Sequence, residues 1–143
     1  MSPEVFAAPT IDATQRAFVR RFETLGPEPM ARYAFLVSLA RSLPAYPAAM
    51  RTRAFEHIGC ESKTWWADRS DKQRLRFIAD SEAVLVRGFI AVLHHTYNGR
   101  LFSDVRQYPV EPFFALLDEQ WQLSPGRQSG LRALAERIER RTD

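Results

Sequence analysis

The single cysteine of the chain, Cys60, lies in the run His57-Ile58-Gly59-Cys60-Glu61-Ser62. If it acts chemically it acts as a thiolate, and the glycine beside it lets a second backbone approach closely while leaving the sulfur uncovered. Residue type alone favours a small buried thiol over a nucleophile. A cysteine hydrolase needs a base at the thiol, and His57 is three residues upstream on the same predicted strand; the spacing does not decide whether it faces the sulfur. Zinc is a poor fit, because only three histidines accompany the cysteine, and the neighbours His94 and His95 diverge by about 100° on a helix. Glu61, Asp80, Glu82 and Asp118 are the carboxylates open to acid–base work, but no spacing singles out a pair. Gly126 and Gly130 lack the lysine and the preceding strand of a phosphate loop. Trp65 and Trp66, adjacent on a strand, face opposite ways, so one core and one rim tryptophan are expected rather than a stacking platform for bases.

The elements that must position these residues follow from hydrophobic spacing. Phe18, Phe22 and Leu25 predict a helix over 12–25, capped by Asp12 or Thr14 and stopped at Gly26-Pro27. Pro29 opens a second, over 28–43, with Met30, Tyr33, Ala34 and Val37 at helical spacing. Pro44 and Pro47 then hold an extended connection. Residues 54–80 read as strands: Lys63-Thr64-Trp65-Trp66-Ala67 is aromatic and β-prone, Ser70-Asp71 has turn chemistry, and Leu75, Phe77 and Ala79 alternate with Arg74, Arg76 and Ile78. Asp80 or Ser81 is expected to cap a central helix that is apolar on nearly every side and ends near Asn98-Gly99. Two short helical pieces around Ser103 and Pro112 lead to a terminal helix opened by Ser124-Pro125, with Leu131, Leu134, Ala135 and Ile138 on its buried stripe. The expected fold is α+β, with a small antiparallel sheet of about three strands packed against helices and helices at both ends. A flexible tail over 1–10 and a single domain over 11–143 are expected.

Length and charge restrict the rest. A chain of 143 residues, 45% hydrophobic and 26% charged, buries enough surface to fold without a disulfide or metal. The central uncharged run, Gly88 to Gly99, is twelve residues, against about 20 for a spanning helix. No secretory leader is recognisable, and a lone cysteine suits a reducing compartment, so a cytoplasmic location is expected. The net charge is +3, and 18 of the 20 basic residues are arginine. Acids alternate with them at Glu23, Glu56, Asp68, Asp71, Asp80, Glu82, Glu136 and Glu139, which describes a solvated surface better than a nucleic-acid footprint.

Three motifs in order carry a resemblance. Gly59-Cys60-Glu61-Ser62-Lys63-Thr64-Trp65, Asp80-Ser81-Glu82-Ala83 with Val86-Arg87-Gly88, and Leu123-Ser124-Pro125-Gly126-Arg127 with Gly130-Leu131 resemble the SufE/CsdE family of sulfur-acceptor proteins. Arg32-Tyr33, Leu36 and Leu43-Pro44 fit its first helical region, and the likeness spans about 15–141. The chain departs from the family at Phe55-Glu56-His57-Ile58, where an asparagine and a valine are usual, at Glu61 for glutamine and at Gly126 for serine; these bear on partner affinity more than on the acceptor role.

The resemblance implies a persulfide carrier rather than an enzyme, with Cys60 as acceptor. It implies stimulation of a pyridoxal-phosphate-dependent cysteine desulfurase, delivery of sulfur to an iron-sulfur scaffold complex, and no cofactor or metal of its own. Gly59, Glu61, Ser62 and Arg127 become the expected partner-binding residues and Glu82 the expected control of the loop. Neither nucleic acid nor membrane is an expected partner, and a homodimer stays open. The competing readings are an interaction module with an inert cysteine and a basic nucleic-acid-binding domain.

Overall fold

The computed structural model describes residues 10–58, 62–121 and 125–142, without the side chains of Asp118, Gln120, Trp121 and Arg127. Helix α1 (Ile11–Leu25) buries Ile11, Thr14, Phe18 and Phe22. Its cap is Thr10, whose hydroxyl accepts the Ala13 N–H at 3.1 Å, not the expected Asp12 or Thr14: the cap must lie outside the helix, and both of those are already within it. Helix α2 (Pro29–Ala40) starts at the expected proline but turns a different face inward. Phe35, Leu36, Leu39 and Ala40 are buried, whereas Met30 and Tyr33 are 70% and 44% exposed. The segment is apolar on several sides, so periodicity alone offers more than one stripe, and the choice is made by α3 (Val84–Tyr97). There a Cβ on Gly88 would lie 2.7 Å from Leu36 Cβ and 2.9 Å from the Leu36 carbonyl oxygen. The two backbones approach that closely only because residue 88 is glycine.

Strands β1 (Thr64–Asp68) and β2 (Phe77–Ser81) pair antiparallel, with Trp65 opposite Asp80 and Trp66 opposite Ala79. The third strand expected upstream is reduced to one bridge, Glu56 to Trp65 on the other side of β1, because Ala48–Met50 and Arg53–Phe55 form tight 3-10 turns instead of extended chain. Both faces of the ribbon are covered, so both tryptophans are buried and the expected rim tryptophan is absent. Trp66 stacks on Phe77 at 4.3 Å within the main core. Trp65 packs with Tyr46 and Ala67 in a second cluster on the opposite face.

Asp80 and Ser81 end β2 and do not themselves cap the helix, whose N-cap position is Ala83. The helix closes as expected, at Asn98 and at Gly99 with φ +82°. Helices α4 (Phe102–Gln107) and α5 (Val110–Trp121) follow. Helix α6 (Pro125–Thr142) buries Leu131, Leu134, Ala135 and Ile138 against the rest of the core. Among the described residues no helix is long and apolar enough to cross a membrane.

Candidate functional site

The segment carrying the cysteine is the connection of a hairpin. The His57 N–H donates to the Thr64 carbonyl at 2.7 Å, and Glu56 bridges Trp65 just behind it, so the chain reverses between His57 and Thr64. Gly59, Cys60 and Glu61 lie outside the described residues. What is described is the stem that carries them.

The downstream foot of the stem is fixed by Ser81. Its Oγ donates to the Lys63 carbonyl at 3.0 Å and accepts from the Thr64 hydroxyl at 3.0 Å and from the Ala83 N–H at 3.2 Å. A hydroxyl has one proton and two lone pairs, so this group is fully used in a buried position. The Glu82 N–H adds a second bond to the Lys63 carbonyl at 3.0 Å. Glu82 thus reaches the loop foot through its backbone, and its side chain is exposed. Glu82 stands just before the N-cap Ala83, outside α3, which begins at Val84 and has no acidic residue in its first turn. Ser62 is half-buried, and its carbonyl lies 3.2 Å from the Thr64 hydroxyl, whose one proton it shares with Ser81 Oγ.

Asp80 explains the pairing of the acidic motif with the Arg87-Gly88 that follows it. Its carboxylate, nearly buried, lies 2.5 Å from Arg51 Nη2 and 3.0 Å from Arg87 Nε, and Oδ1 also accepts the Ser81 N–H at 2.8 Å. The Arg87 Nε–H is not aligned as a hydrogen bond, so that contact is Coulombic. Arg51 in turn lies over the Trp65 ring, 5.1 Å from its centroid, and over Tyr46 at 5.9 Å. One carboxylate thereby joins the start of α3, the end of β2 and the segment leading into the hairpin. Sequence spacing had no means of showing Arg51, which is twenty-nine residues from Asp80.

The upstream foot is His57, 5% exposed and with its Nε2 buried and unpartnered. Its pKa is pushed below the ordinary histidine value, first by burial and then by the positive charge of Arg137 and Arg140; a hydrogen bond to the Gly130 backbone opposes this. His57 therefore stands against α6 as a neutral ring. It is followed by Ile58, which is 88% exposed and the most exposed large hydrophobic residue described. Arg127, in the first turn of α6, shares that helix with Gly130; its side chain is not among those described. Among the described residues no three histidine, cysteine, aspartate or glutamate side chains come together to hold a metal.

A short antiparallel ribbon packed on helices, with a pinned stem flanking the sequence Gly-Cys-x-Ser, defines the class. Residues 16–142 match the family model described as "SufE: Fe-S metabolism associated domain", and the chain belongs to that family. It is 33% identical over 108 residues to the sulfur acceptor protein CsdE of Escherichia coli K12, an alignment covering 75% of this chain and 74% of that protein. An uncharacterised SufE-like protein of Rhizobium etli is 29% identical over 111 residues, covering 75% of each. The solution structure of a hypothetical protein from Thermus thermophilus shares the fold, with a TM-score of 0.67 over 90% of this chain and 92% of that one at 18% identity.

Proposed function

We propose that this chain is a sulfur acceptor in which Cys60 takes persulfide sulfur from a pyridoxal-phosphate-dependent cysteine desulfurase, stimulates that enzyme, and passes the sulfur on for iron-sulfur cluster assembly. The observation that carries the reading is the stem. Its two feet, which flank Gly59-Cys60-Glu61 in the chain, are fixed by backbone and Ser81 hydrogen bonds, and the chain belongs to a family whose relative CsdE is a sulfur acceptor. The transfer needs no second cysteine here. The Cys60 thiolate attacks the outer sulfur of the partner's Cys-S-SH; the new S–S bond forms at Cys60, the partner's S–S bond breaks, and the partner's thiolate leaves with the electron pair. One disulfide-type bond replaces another, with no net oxidation.

The protein acts as an accessory carrier and binds no cofactor of its own; pyridoxal phosphate belongs to the partner. It works as one domain in the cytoplasm, with Gly59, Glu61, Ser62 and Arg127 meeting the desulfurase. The test is incubation with a desulfurase and cysteine, followed by mass analysis of the Cys60 peptide. A mass gain of one sulfur on that peptide, reversed by reductant, is the expected result; an unmodified peptide under conditions where the desulfurase itself is loaded refutes the reading and favours an interaction module with an inert thiol.

A further inference from the structure

Along β1 from the stem lies a groove of about 440 Å³ lined by Trp66, Asp68, Leu75, Arg137, Arg140 and Arg141. Its charge is unbalanced. Asp68 is already committed, to Arg141 Nε at 2.6 Å and to the Ser70 N–H at 2.8 Å. Arg137 and Arg140 have no carboxylate within ion-pair distance among the described residues. One turn apart on α6, they face the same side, and Arg137 is half-buried, its pKa pushed below the ordinary arginine value by burial and by Arg140. Two like charges held together and partly desolvated cost free energy that an incoming negative group would offset. Trp66 stands two residues along β1 from Thr64, whose carbonyl accepts the His57 N–H, so the groove lies on the same ribbon as the cysteine stem.

The chemistry selects the occupant. Base stacking, which strengthens single-strand binding, is blocked here, because Trp66 has Phe77 stacked on one side at 4.3 Å and Arg137 near its ring at 5.8 Å. The C-terminal half of α6 has a helix dipole unfavourable to any anion, so an occupant has to gain from more than one guanidinium at once. Several carboxylates spread along a chain fit better, because each can meet a separate guanidinium. We propose that the groove of Arg137 and Arg140 receives an acidic segment of the desulfurase that loads Cys60. The inference rests on the acceptor reading above for the identity of the partner.

The experiment compares the Kd of a cysteine desulfurase for the wild-type chain, for R137E/R140E, and for R20E/R41E, which makes the same charge change at exposed positions on α1 and just after α2. Thermal melts confirm folding, and the Cys60 peptide is analysed for sulfur in each case. R137E/R140E is expected to weaken binding at least tenfold and to flatten its salt dependence, while R20E/R41E stays within about twofold. Equal effects of the two double variants, or none, overturn the groove even if Cys60 is loaded. Binding that depends on Arg137 and Arg140 without sulfur on Cys60 sustains the groove and refutes the acceptor reading. No complex with the wild type refutes both. Loss in R137E/R140E of binding to a single-stranded oligonucleotide, with desulfurase affinity unchanged, assigns the groove to nucleic acid and overturns the proposal.

Discussion

Replacing Ser81 by alanine tests whether the hairpin stem is held by one hydroxyl. Three hydrogen bonds meet at Ser81 Oγ, but their loss is unequal. The Lys63 carbonyl keeps the Glu82 N–H, and the Thr64 hydroxyl can turn fully to the Ser62 carbonyl, already 3.2 Å away. The Ala83 N–H, partly buried before the first turn of α3, has no substitute among the bonds described. A net hydrogen bond contributes about 0.5–1.5 kcal/mol, and a stranded donor costs about 1–3 kcal/mol. One lost donor–acceptor pair and one weakened pair therefore amount to about 2 kcal/mol. With an unfolding entropy near 2.1 cal/mol/K per residue, a domain of this length loses roughly 7 °C in Tm for that change. If the loss is local to the stem, opening becomes about thirtyfold more frequent at the same free-energy cost. Hydrogen exchange of the His57 N–H, held by the Thr64 carbonyl at 2.7 Å, reads this opening. A Tm within about 2 °C of wild type together with unchanged exchange would refute the argument that Ser81 clamps the loop.

Four further outcomes are expected. Cys60→Ser abolishes both sulfur loading and desulfurase stimulation at unchanged Tm, since oxygen cannot take up the sulfane sulfur; full stimulation by the serine variant contradicts the acceptor role. Arg127→Ala is expected to lower desulfurase affinity more than it lowers Tm, as for a residue whose role is to meet the partner; an unchanged titration removes it from the partner surface. Gly88→Ala drives a methyl into Leu36 Cβ and carbonyl, and overpacking of about 1–3 kcal/mol exceeds the helix-propensity gain of about 1 kcal/mol, so urea denaturation should show a net loss; a variant as stable as wild type refutes the close-packing account. Burial, then His95, lowers the His94 pKa to about 4, so His94 supports the fold fully above its unfolded value near 6.5 and progressively less as pH falls toward 4, by about 3 kcal/mol in all; equal acid sensitivity in His94→Gln would rule this out.

The parts of this fold that were legible in the sequence are those governed by short-range rules. Pro29, Gly99 and Pro125 mark helix ends, and the alternation of Leu75, Phe77 and Ala79 gives the buried face of β2 and the residues before it. The parts that were not legible depend on contacts distant in sequence. Which stripe of α2 turns inward is decided by Gly88 on α3, and nothing within α2 ranks Leu36 above Tyr33. Trp65 is covered by Tyr46 from a segment whose prolines suggested only a connection. At the site, Cys60 and its flanking motif were visible as a local pattern, whereas the Arg51–Asp80–Arg87 cluster and the closeness of His57 to Arg137 and Arg140 come from three or more elements meeting.

The stem also limits how a carrier of this design can work. The described backbone is anchored at His57 and at Thr64 by the bond between them, and Cys60 is three residues from the first anchor. A fully extended chain gains at most about 3.3–3.6 Å per residue, so the Cys60 Cα stays within about 10 Å of the His57 Cα in any state that keeps the stem intact. A partner's persulfide must therefore be brought to this protein, because the loop cannot carry the thiol deep into a distant active site unless the stem opens. For the acceptor role proposed above, this puts exposed Ile58 and Ser62 within the expected contact and couples stability of the stem to rate of sulfur transfer: a desulfurase with a recessed persulfide would load Ser81→Ala faster than wild type, while one that presents its persulfide at the surface would load both alike.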